Sequence, residues 1–240
     1  MAYITFYGIY LGLIIGFVVL WHITPVISLL FFLLISAFHF GESQFSDISF
    51  KKILRYSFYF FWGLCLLSSL MFYNVNELYE ITSFFDDTII LERVYNKDTI
   101  AIFFYLTNFI TISSILFLLL KKKINNDRFF SELFLLFLIH ITFFLFPFII
   151  GFTLYFVALH SLKVMNDEFK FFKKENKDFT IWQFLKLLAP YSLLSIMGTT
   201  ILLLLSYYNI ISYSIPFLSI MIISVITLPH AIVMNIFYNE

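Results

Sequence analysis

Eight apolar runs, each long enough to cross a bilayer as a helix, occupy most of this 240-residue chain. They read roughly as 3–21, 25–40, 53–72, 99–120, 129–146, 148–164, 183–207 and 212–237. At a rise of about 1.5 Å per residue, about 20 such residues cover the hydrocarbon core. In lipid the backbone amides must be satisfied within the segment or by a closed barrel. Runs of this length therefore give an all-α fold class, a polytopic transmembrane bundle of about eight spans. Only 12% of the residues are charged, about half the share found in soluble domains. A soluble enzyme, a disordered chain and a disulfide scaffold are excluded. The length suits a single integral-membrane helical domain over 1–240. The opening Met1-Ala-Tyr lacks a basic segment and the first run is too long for a signal core, so no removable leader is expected. Net charge is zero, which implies no nucleic-acid partner. The lone Cys65 has no partner for an internal disulfide.

Charge in the loops sets an expected orientation. Lys51, Lys52 and Arg55 follow the second run; Lys121, Lys122, Lys123 and Arg128 separate the fourth and fifth; Lys170, Lys173, Lys174 and Lys177 separate the sixth and seventh. With eight spans these loops share one side, which the positive-inside rule makes cytoplasmic, with both termini. The loop between the third and fourth runs carries Glu77, Glu80, Asp86, Asp87 and Glu92 against Arg93 and Lys97, and should face out.

Other features are architectural. Gly8, Gly12 and Gly16 form a small-xxx-small stripe that is expected to admit a neighbouring helix closely. Pro190 and Pro229 fall inside runs and should kink them. Residues 166–179 mix Lys and Glu with Phe169, Phe171, Phe172 and Phe179 and read either as an amphipathic interfacial helix or as an ordinary solvated loop. Trp21-His22 at the end of the first run reads as interfacial anchoring.

The expensive residues are the ionisable ones inside spans, which usually face the bundle interior and mark sites. His39 lies twelve positions before Lys51, His160 ten before Lys170, and His230 ten before Glu240. All three runs head inward, so three distant spans place an imidazole at a similar depth. Neutral imidazole is the commonest side-chain metal ligand and suits iron, zinc and copper. Each histidine alone could instead hydrogen-bond a neighbouring span or a water; their common layer singles them out. His140, nearer the membrane middle, reads as a further ligand, a donor to a ligand, or an interhelical hydrogen bond. Glu42 follows His39 by three positions on nearly the same face, where a carboxylate orients an imidazole, ligates, or ends the span. Asn235, about 140° round the helix from His230, is expected to face elsewhere. There is no Gly-x-Ser-x-Gly elbow, His-Glu-x-x-His pair, phosphate loop or dinucleotide fingerprint. No two histidines lie within four residues, so the clustered histidine boxes of membrane desaturases are absent.

Three segments carry a resemblance. Ser36-Ala37-Phe38-His39-Phe40-Gly41-Glu42-Ser43-Gln44-Phe45 resembles the Tyr/Phe-His-Phe-Gly-Glu motif of the Brp/Blh family, the membrane-bound beta-carotene 15,15'-dioxygenases of bacteria and archaea. Tyr155-Phe156-Val157-Ala158-Leu159-His160-Ser161-Leu162 resembles the family's Tyr-Phe…His-Ser segment, and Thr227-Leu228-Pro229-His230 its late Pro-His segment. The three occur in the family's order. The resemblance implies a non-haem Fe(II) enzyme that splits the central double bond of beta-carotene with dioxygen to give retinal. By motif position it implies His39, His160 and His230 as iron ligands; His140, His22 and Glu42 stand as candidates for a further ligand or a supporting group, although neither His140 nor His22 matches a family motif. The resemblance also implies a cell membrane location and a functional link to a retinal-binding protein. The family's Gly-x-Pro-His-Gly segment has no counterpart ahead of the first run, and Val164 stands where some members carry another histidine. A non-catalytic carotenoid- or retinal-binding member with incomplete iron ligation is the alternative. A small transporter with histidine proton relays would need an inverted repeat, and none is visible.

Overall fold

The computed structural model of the chain describes residues 2–82, 96–211, 213 and 215–239. Among the described residues it contains helices and no strand: α1 (Ala2–Ile23), α2 (Pro25–Phe45), α3 (Lys52–Tyr73), the short α4 (Val75–Thr82), α5 (Lys97–Leu120), α6 (Asn126–Leu145), α7 (Phe148–Glu175), α8 (Ile181–Tyr207) and α9 (Ile215–Asn239). Seven of them, α2, α3 and α5 to α9, are long and apolar enough to cross a membrane. α1 adds a shorter apolar stretch, Gly8–Ile23. The chain is thus a polytopic helical bundle, and each apolar run of the sequence corresponds to one helix.

Local chemistry sets the helix starts. Pro25 opens α2 where a missing N–H costs nothing. The Asn96 side chain accepts from Thr99 N at 2.7 Å and the Asn125 side chain from Arg128 N at 2.8 Å, capping α5 and α6. Thr180 and Gln183 form a reciprocal capping box at the start of α8. Glu77 on α4 accepts from Phe148 N at 2.8 Å and so places a carboxylate at the N-terminus of α7. Of the expected acidic loop, Asp86, Asp87, Glu92 and Arg93 lie outside the described residues.

α2 is the hub, packed against α1, α3, α9 and the middle of α7. On one side Phe40, Phe45, Trp62, Leu66, Ile139 and Tyr155 fill a core shared with α3, α6 and α7. On the other, Phe17, Trp21, Leu29, Val225 and Leu228 fill one shared with α1 and α9. Among the glycines, the closest approaches to a neighbouring backbone are between α2 and α3. A Cβ on Gly41 would run into the backbone of Tyr59, and one on Gly63 into the backbone of Ala37. These two glycines, not the expected stripe, let backbones touch. Nothing lies within 4 Å of a Cβ built on Gly8, Gly12 or Gly16, because α1 turns that face outward.

One expectation is refined and another corrected. The helix expected within 166–179 is present as far as Glu175, where it forms the last part of α7 beyond a π-helical turn. The amphipathic character is present, but the apolar side is docked on the bundle, with Phe169 5.7 Å from Phe184 and Phe171 5.2 Å from Phe237 between ring centres. Trp21 is not a boundary anchor. It is 1% exposed, its indole N–H donates to Ser224 Oγ at 2.7 Å, and Phe217 stands edge-on at 5.5 Å. α8 and α9 run through Pro190 and Pro229 without ending.

Candidate metal centre

The centre begins with the register of α2. Ser36, His39, Phe40 and Ser43 recur at the three- and four-residue spacing that puts side chains on one helix face, and all are buried. α2 runs on to Phe45, so His39 and Glu42 lie well inside the helix rather than at its end. The second imidazole arrives through a local irregularity. Between Phe156 and Ser161 α7 widens into a π-helical turn, with Leu162 N donating to Val157 O, and His160 sits in it. Such turns re-aim side chains and recur at functional sites. The third imidazole follows Pro229 on α9, which packs along α2.

The three rings meet. His39 stands 5.0 Å from His160 and 5.1 Å from His230 between ring centres, nearly perpendicular to each. Imidazoles sharing one ion at about 2.0–2.1 Å, at angles from square to tetrahedral, have ring centres roughly 4.5–5.2 Å apart. His39 is 1% and His160 5% exposed. Both ring nitrogens of His39 are buried without a hydrogen-bond partner, which is costly for an imidazole unless something else engages them. His160 is held in one tautomer. Ser43 Oγ already donates to Phe40 O at 3.0 Å, so at 3.1 Å it accepts from His160 Nδ1–H. That leaves His160 Nε2 with its lone pair, the form in which imidazole ligates. Phe40 and Phe156 wall the His160 ring at 4.9 and 5.3 Å. Among the described residues, no three His, Cys, Asp or Glu side chains are drawn in tightly enough to hold an ion as they stand. The donor types, ring spacing and unpartnered nitrogens fit a metal; the final closure of the rings is not made.

Glu42 is 1% exposed and accepts from Asn235 Nδ2 at 2.6 Å, while its Oε2 has no partner. Asn235 therefore belongs to the cluster, contrary to the expectation from its angle to His230, because its partner is on α2 rather than on its own helix. His140 and His22 are engaged elsewhere. His140 Nε2 is 2.9 Å from Asn108 Oδ1 and its Nδ1 is 3.3 Å from Tyr73 Oη. His22 Nδ1 is 2.6 Å from Tyr213 Oη at an exposed position.

Residues with no expected role at the site pin the end of α2 that carries the cluster. The last carbonyls of a helix lack internal partners and favour cations. Here Lys163 Nζ donates to Ser43 O, Arg128 to Gln44 O at 3.0 Å, and Tyr59 Oη to Phe45 O at 3.0 Å. Arg128 also pairs with Glu132 at 2.7 Å, and Gln44 Nε2 donates to both Glu132 oxygens at 3.0 Å. Glu132, 2% exposed within an apolar run, carried the same signal as the histidines, an ionisable group where lipid would forbid it. Arg128→Ala should strip a buried carboxylate of its cation and lower stability by about 1.5–3 kcal/mol, the worth of hydrogen bonds to charged groups. Thermal unfolding in detergent should show the drop, and adding Glu132→Gln should recover part of it.

An apolar cavity lies beside the cluster; none of the three histidines lines it, but Ser36 and Phe40, their neighbours on α2, do, together with Leu29, Leu33, Leu70 and Ile220. Ile149 on α7 and Ile223 on α9, which also line it, are 50% and 38% exposed, so the mouth opens on the bundle's outer face. A family model described as Beta-carotene 15,15'-dioxygenase matches residues 1–238. No curated protein and no solved structure matches.

Proposed function

The chain belongs to the beta-carotene 15,15'-dioxygenase family, and from that premise we propose that it cleaves the central double bond of beta-carotene with dioxygen, yielding two molecules of retinal. The C=C and O–O bonds are exchanged for two C=O bonds, so the reaction balances without a further reductant. His39, His160 and His230 would hold the iron, and the meeting of these three imidazoles from three helices is the observation that carries the reading. Bound there, Fe(II) supplies the redox chemistry that dioxygen needs to react with a polyene, with positions left open beyond the three ligands.

The chain's own residues do the rest. Ser43 holds the His160 ring with Nε2 free. Glu42, one turn beyond His39, is held by Asn235 through Oε1 and keeps Oε2 unpartnered; turned toward His39, that oxygen would orient the imidazole and raise its basicity. The cavity walls are leucine, isoleucine and phenylalanine, which take up an apolar polyene and exclude water. The mouth between α7 and α9 would admit a substrate dissolved in the bilayer from the side. The Lys- and Arg-bearing loops would put the cluster in the cytoplasmic half of the cell membrane, with both termini inside. The test is expression in cells that accumulate beta-carotene: loss of pigment with matching retinal supports the reading, and a folded, iron-supplied chain that leaves the pigment intact overturns it.

A further inference from the structure

Buried serines in this bundle follow one habit. Ser28, Ser43, Ser68, Ser69, Ser206 and Ser224 each donate their hydroxyl to a backbone carbonyl. Ser36 does not. It is 1% exposed, it lines the apolar cavity, and its Oγ has no partner. The other hydroxyls of that lining are spoken for: Ser219 donates to Ile215 O at 2.8 Å and Thr153 to Ile149 O at 2.7 Å. Among the described residues, the cavity thus holds one available hydroxyl donor.

Its position is informative. Ser36 lies one turn before His39 on the same face of α2, about 4.5 Å along the axis. The cavity then follows α2 back to Leu29. From Ser36 to Leu29 that is about 10 Å of helix, which would line the inner part of one half of a carotene, with the rest lying toward the mouth. A ligand matched to this space is a long apolar polyene bearing one oxygen at the end nearest the imidazoles. A carotene has no oxygen, but each half acquires one at the cut end.

We infer that Ser36 is a positioning residue that donates a hydrogen bond to the aldehyde oxygen of a polyene aldehyde lying in this cavity with its apolar tail toward Leu29. The inference rests on the proposed function, since that reaction places an aldehyde at this end of the cavity. Ser36 would hold one product half after the cut and set how readily it leaves for the bilayer.

The experiment measures binding, not turnover. The full chain in detergent, with and without iron, is titrated with all-trans-retinal and with the corresponding hydrocarbon lacking the aldehyde, read by quenching of tryptophan fluorescence. Ser36→Ala should weaken retinal roughly three- to tenfold, the range of one net hydrogen bond, and leave the hydrocarbon unchanged. Ser36→Cys, nearly the same size but a weak donor, should show the same selective loss and guards against a packing effect. Equal losses for both ligands, or no loss for either, overturn the inference. A chain that binds retinal selectively through Ser36 but leaves beta-carotene uncleaved refutes the proposed function alone; one that cleaves without that selectivity refutes this inference alone.

Discussion

Alanine at position 39 should reduce retinal formation by at least about a hundredfold, the upper end of what even supporting groups around a metal are worth, while the chain still folds and inserts. His39 touches both other imidazoles, and its two nitrogens have no hydrogen bond to lose. Deleting the ring therefore removes no hydrogen bond from the bundle. His160→Ala and His230→Ala should lose activity to a similar degree. His140→Ala is the informative contrast. Its ring bridges Asn108 and Tyr73, so alanine should cost about 1 kcal/mol of stability and leave turnover of the folded fraction near normal. Retinal measured by chromatography, normalised to folded protein, separates the two patterns. Equal activity losses in His39→Ala and His140→Ala would mean that both histidines act through the fold.

Valine at Gly63 should leave little folded protein. The added Cβ meets the Ala37 backbone, which cannot rotate away as a side chain can. The cost should reach or exceed about 3 kcal/mol, the upper range for overpacking, against a typical total stability of about 5–15 kcal/mol. Gly41→Val should behave alike and also push on the helix between His39 and Glu42. Gly12→Val, with nothing near its Cβ, should change stability by less than about 0.5 kcal/mol. Monodisperse yield and thermal midpoint in detergent distinguish the sites. A Gly12→Val chain that fails while Gly63→Val survives would invert the packing described above.

These contrasts show where sequence suffices. The shared depth of His39, His160 and His230 could be counted from the basic loops because helix rise is constant, and the rings do meet. A glycine stripe shows which face could pack closely, not whether a neighbour arrives: Gly8, Gly12 and Gly16 had the pattern, Gly41 and Gly63 the contact. Gly41 was in plain view inside the His39 motif, but a single glycine has no period. Asn235 was judged against its own helix, whereas Glu42 reaches it from another. The π-helical turn that presents His160 is a slip in hydrogen-bond register, which residue type does not announce. Trp21 looked interfacial by its position at a run's end, yet a tryptophan there is equally suited to burial if its N–H finds a partner, and Ser224 supplies one.

The central claim is that His39, His160 and His230 form one iron site. It is tested most directly by the iron held by the purified full chain after anaerobic loading with Fe(II) and removal of excess metal, compared with His39→Ala treated identically. The account predicts about one iron per wild-type chain and close to none in the variant; equal amounts in both, or none in either, would contradict it.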